Sequence, residues 1–138
     1  MTAVVRTLYI EQGATYPCGF NCYHEVLPPT VPPTPDLANP WLFPAGTSAR
    51  MQIREFVGAP VLVEASTLNG RIVLGATDGR IDITLTDADT DLLTVEAAVY
   101  DLEVVYPVPI TLPPTEPVVV RVLQGPVVVS PNVTTDQP

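Results

Sequence analysis

Three groups of residues have the types and spacing to do chemistry. Cys18-x3-Cys22-x-His24 offers two thiolates and an imidazole, a partial zinc set if a fourth ligand came from elsewhere. Asp87, Asp89 and Asp91 have the alternate spacing with which a calcium loop begins to wrap one hard cation. The third group is the basic complement, Arg6, Arg50, Arg54, Arg71, Arg80 and Arg121, six arginines and no lysine against 15 acidic residues.

Geometry favours plainer roles for the first two. In an extended strand Tyr16, Cys18, Phe20, Cys22 and His24 all point to one side, and about 3.3 Å per residue puts the two cysteines about 13 Å apart. They then read as small apolar residues on a core face, and zinc or a disulfide would need the segment to fold back. The same distance weakens a cysteine–histidine nucleophilic pair. The calcium loop fails further along, because Leu92 stands where glycine is needed and Ala98 where glutamate is needed. There is no phosphate loop and no Gly-x-Ser-x-Gly elbow, and the single His24 leaves no base for a serine triad. The chain is therefore not expected to be an enzyme, and no catalytic, metal or cofactor residues are assigned.

The net charge of −9 argues against nucleic acid as a partner, since affinity for a polyanion comes largely from cations that displace its counterions. Apolar stretches are broken by proline or a charge before they reach the length of a membrane span, so no membrane partner is expected. Met1 is followed by Thr2-Ala3-Val4-Val5-Arg6, without the basic and apolar regions of a secretory leader, and assembly in a cytoplasm is the expectation.

The elements that position these residues are strands. In 138 residues, 46% hydrophobic, valine, threonine and isoleucine recur and 17 prolines with 8 glycines punctuate the chain, which suits one all-β domain over residues 1–138. Period-two segments run over Val4 to Glu11, Tyr16 to His24, Ser48 to Val57, Val61 to Ser66, Arg71 to Leu74, Arg80 to Thr86, Ala98 to Val105 and Val118 to Gln124. Val127 to Val129 continues the last past a break at Gly125-Pro126. Leu68-Asn69-Gly70 and Asp78-Gly79 supply residues that tolerate the positive φ of tight turns. Met51 and Ile53 alternate with Arg50, Gln52 and Arg54, and Tyr100, Leu102 and Val104 with Asp101 and Glu103, so each strand has one apolar and one wet side. Thr86 can cap one or two helical turns whose early acids suit the positive end. Glu96-x-Ala98-x-Tyr100 then has the pattern of a tyrosine corner, whose hydroxyl bonds back to upstream backbone. Two proline-rich stretches, 27–44 and 106–117, interrupt the rhythm and cannot be central strands.

Four segments together resemble small virion proteins encoded among the tail genes of tailed phages. They are Leu8 to Tyr16, Ala49 to Arg54, Asn69 to Leu74 with Asp78 to Ile81, and Val99 to Glu103 with Arg121 to Gly125. The likeness covers roughly residues 6–26 and 45–132 and extends to the N-terminal β-sandwich of baseplate and tail-fibre adaptors. Such proteins join the second and third strands, and the last two, by short turns, where this chain has its proline-rich stretches.

The resemblance implies an immunoglobulin-like antiparallel β-sandwich of seven to eight strands, here with two long proline-rich loops. It also implies a structural role: a multicopy or homo-oligomeric tail, baseplate, neck or fibre-attachment subunit of the virion that binds other virion structural proteins. A capsid decoration protein and a host-glycan-binding sandwich are the alternatives. That topology puts the Met51 strand beside the Tyr100 strand, and both loops at one end. Residues expected to meet a partner are Pro29, Pro32, Pro33, Trp41, Leu42 and Phe43 on the first loop and Pro109, Pro113 and Pro114 on the second. Arg50, Arg54 and Arg121 would join them from the outward sheet face, opposite Asp101 and Glu103. Tyr100 and Asp101 are expected to be structural.

Overall fold

A computed structural model describes residues 3–28, 30–107 and 118–134. Its elements in chain order are β1 (Val4–Val5), β2 (Leu8–Glu11), β3 (Tyr16–Asn21), β4 (Tyr23–Glu25), β5 (Pro35–Pro40), β6 (Ser48–Arg54) and β7 (Val61–Ser66). There follow β8 (Ile72–Leu74), β9 (Arg80–Leu85), α1 (Asp87–Asp91), β10 (Ala97–Tyr106) and β11 (Val118–Ser130). The chain is mostly β, as its composition requires, with one short helix.

The larger sheet runs β1-β11-β10-β6-β7, with β2 also pairing β11; the smaller is β3-β9-β8, and β4 and β5 form a ribbon by themselves. Alternation decides what each strand buries. Met51 and Ile53 lie opposite Leu102 and Tyr100, as expected, and all four join one core with Cys18, Ile81, Ile83 and Leu85 of the smaller sheet. Burial of such side chains is worth about 1.5–3 kcal/mol each.

Thr86 caps α1, and Asp89 completes a reciprocal capping box by accepting the Thr86 N–H at 2.9 Å. Arg71 donates from Nε to the same carboxylate at 2.7 Å, and this bond holds the Asp89 carboxyl below its ordinary range. Asp87 and Asp89 thus serve a helix start, while Asp91 is the last helical residue.

Several expectations need correction. The pairing is mixed, because β1 and β2 run parallel to β11, and eleven strands stand among the described residues where seven or eight were expected. Gly125-Pro126 does not end a strand: β11 continues through it for 13 residues. Val5 lies opposite Gln124 and Leu8 opposite Val127, the same register on both sides of the gap at Arg6-Thr7. Pro126, which has no N–H to give, sits at that gap, where no ladder bond is lost. A Cβ on Gly125 would stand 2.6 Å from the Arg6 carbonyl oxygen, so glycine there allows a close backbone approach.

The first proline-rich stretch is also no structureless loop, since residues 35–40 form β5 and pair with β4. An exposed ribbon, unlike a central strand, tolerates the donors missing at Pro35 and Pro40. The tyrosine corner is replaced by a longer link. Tyr100 donates its hydroxyl at 2.7 Å to the carbonyl of Arg6, 94 residues upstream, so it ties the first edge of the large sheet to its centre. Burial pushes that phenol up to about 12, which keeps it a donor at neutral pH.

Candidate functional site

The Cys18/Cys22/His24 segment folds differently from a single straight strand. β3 ends at Asn21 and β4 starts at Tyr23, and Cys22 at the junction donates its N–H to Gly79 O (2.8 Å) while its carbonyl accepts from Trp41 N (2.9 Å). Both thiols are free and buried, whereas His24 is exposed rather than on the core side. Among the described residues no three His, Cys, Asp or Glu side chains converge as metal ligands would. Burial pushes the Cys22 thiol up to about 11, so at neutral pH it is protonated and a poor nucleophile. Alkylation of the native protein at neutral pH is expected to be slow, with both thiols reacting promptly in denaturant. Rapid labelling of Cys22 in the folded state would contradict this.

The β4–β5 ribbon holds a group of exposed apolar side chains among the described residues. β4 and β5 hydrogen-bond to each other and, among the described residues, to no other strand; Val26 N closes the far end on Thr34 O at 2.8 Å. Leu27, Val31 and Leu37 on it are 80%, 100% and 71% exposed. Pro32 and Pro33 are exposed at its tip, while Pro29 lies outside the described residues.

Trp41 and Phe43, expected as anchors displayed to a partner, are core residues at 7% and 4% exposure. They follow the ribbon back into the body, where the Trp41 N–H bond to Cys22 and the Phe43 N–H bond to Ala76 O (3.0 Å) turn them inward. Leu42 between them faces out at 60%. Trp41 is accordingly no stacking platform for a sugar.

The segment that follows the ribbon meets the end of β10. Phe43 and Tyr106 stack with ring centroids 6.2 Å apart, and a mostly apolar hollow of about 580 Å³ lies among His24, Trp41, Leu42, Tyr106 and Val120. Pro109, Pro113 and Pro114 lie outside the described residues.

The outward face of the large sheet carries a second group. Arg50 donates to Glu103 Oε2 from Nε and Nη2 at 3.2 and 3.0 Å, and Arg121 Nε stands 3.6 Å from Asp101. Arg54, expected opposite a carboxylate, pairs in register with Val99 and is held by Gln52 Oε1 at 2.9 Å and by the Ala59 carbonyl. It secures the turn into β7 and is only half-exposed, so it is a structural residue as well as a surface one.

Sequence reasoning missed the ribbon, because its strands lack alternation, and it missed the Arg71–Asp89 pair, which spans 18 residues. An exposed valine and leucines among prolines were the available signal for the ribbon. Neither a protein-family model nor a curated protein sequence matches the chain. Its surfaces are therefore judged on their own chemistry.

Proposed function

We propose that the protein is a structural subunit of a tailed-phage particle, placed in the tail, baseplate, neck or fibre-attachment region, and that it works by protein–protein contact rather than catalysis. The β4–β5 ribbon is the observation that carries this reading. A two-stranded ribbon is marginally stable alone in water, and this one holds three large apolar side chains in solvent. Both costs are relieved when a neighbouring protein covers it. Prolines at the tip restrict the unbound chain, so less conformational entropy is lost on docking. Leu42 and the hollow behind it extend the apolar surface to the base of the ribbon.

The strand order supports an immunoglobulin-like reading of the body, with β3-β9-β8 facing β11-β10-β6 and the short helix leading into β10. The likeness of four segments to tail-encoded virion proteins supports the station. Charge supports it from the other side, since a chain of net −9 suits protein neighbours better than the packaged genome.

Replacing Leu27 to Pro33 with two glycines tests the proposal, because it shortens the ribbon and leaves the core residues in place. Its urea midpoint is expected to stay close to that of the native chain, with incorporation into particles falling about tenfold or more, as when one interface anchor is lost. Incorporation at the native level would refute the reading.

A further inference from the structure

We infer that the outward face of the large sheet seats a second copy of this chain, the two copies packing face to face about a two-fold axis. The inference rests on the reading of the protein as an assembly subunit, and names one of its partners.

Its basis is how charge is distributed. Register places Arg50, Glu103 and Arg121 in one row across β6, β10 and β11, and Glu64, Gln52, Asp101 and Gln124 in the next row, with Arg54 beyond. Three of the six arginines and three of the fifteen carboxylates thus share the part of this face formed by β6, β7, β10 and β11, which is neutral, with Glu11 of β2 outside it. The other three arginines are left against twelve carboxylates elsewhere in the sequence, so the whole net charge of −9 belongs to the rest of the chain. Two copies approaching by other surfaces bring acid toward acid, whereas this face brings no net repulsion.

The pattern is also self-complementary. A two-fold interface uses one patch twice, so the patch must hold both signs in places that meet each other. A two-fold axis running along the strands between β6 and β10 lays Arg50 of one copy over Glu103 of the other, and symmetry repeats the contact in the opposite direction. The pairs within one copy leave capacity for this. Arg50 spends Nε and Nη2 on Glu103, which leaves Nη1 free to face a neighbour, and the Arg50 and Arg121 side chains are both about half exposed, at 56% and 51%. A groove of about 790 Å³ crosses the face, with Val57 at one wall and Val5 at the other, exposed at 90% and 68%. A second copy would remove both valines from water.

Sedimentation velocity on the whole chain at high micromolar concentration tests this. A dimer is expected that dissociates as salt is raised. Arg50→Glu with Arg121→Glu, and separately Asp101→Arg with Glu103→Arg, should each weaken self-association about a hundredfold, since like charges then oppose each other across the interface. Mixing the two variants should restore a dimer. Circular dichroism establishes that each variant is folded; should one not be, the salt dependence of the native dimer decides alone. A native chain that is monomeric, a dimer indifferent to salt, or folded variants that still self-associate or fail to pair when mixed would overturn the inference. A monomeric native chain whose incorporation still depends on the ribbon overturns only this inference. Normal incorporation of the shortened ribbon overturns only the proposed function.

Discussion

Gly79→Ala is expected to destabilise the protein by about 3 kcal/mol, a severe loss from a single methyl group in a domain whose total stability is about 5–15 kcal/mol. Two costs combine. Gly79 has φ +68°, where an L side chain loses roughly 1–2 kcal/mol. Its Cβ would also stand 2.2 Å from the Cys22 carbonyl oxygen and 3.1 Å from Trp41 N. Those atoms are backbone and cannot swing aside. They form the junction from which the ribbon leaves and to which it returns, so the methyl group separates β3, β9 and the Trp41 segment together. Gly70→Ala is the internal control: φ is +79° but nothing lies within 4 Å of its Cβ, so only the backbone cost of about 1 kcal/mol applies. Urea unfolding followed by the fluorescence of Trp41, the single tryptophan, reads both. Equal losses for the two glycines would show that the close approach at Gly79 does not matter.

Leu102→Ala is expected to cost about 2–5 kcal/mol, the range for truncating a large core side chain and leaving a cavity. Leu102 is fully buried on the central strand β10, between Met51 on β6 and Leu123 on β11, so no solvent reaches the space left behind. One residue further, on the other side of the same strand, Glu103→Ala should cost no more than about 1 kcal/mol, because its partner Arg50 remains solvated. Chemical denaturation of both variants measures the contrast. A large loss for Glu103→Ala would mean that the outward face holds the monomer together, and would remove the reason to assign its charges to a neighbour.

These effects bear on how the molecule divides its work. The core draws on period-two strands from both sheets, while the ribbon and the outward face contribute little to it and expose what a neighbour can use. Trp41 and Phe43 belong to the first category despite their place in a proline-rich stretch. A free arm ending in buried aromatics is held at its root, so deleting the tip leaves the root intact.

Much of the body was legible in the sequence because its signals are local. Alternation of Met51 and Ile53 with arginines, and of Tyr100, Leu102 and Val104 with acids, identified the inward faces of β6 and β10, and their neighbouring followed from the likeness to a known topology. Thr86 and the aspartates after it marked the short helix, since a cap and its acids lie within one turn. Asn69-Gly70 and Asp78-Gly79 marked turns because positive φ restricts the residue types. The tertiary structure decided everything that depends on contacts between distant segments. Whether β1 and β2 run parallel to β11 depends on the direction of a strand more than 110 residues away. Tyr100 finds Arg6 because the gap opposite Pro126 brings that carbonyl within reach. Trp41 and Phe43 turn inward because Cys22 and Ala76 offer backbone acceptors at that place. Period and turn chemistry specify which side of a strand is apolar; only the packed chain specifies what that side meets, and which apolar side chains stay in water.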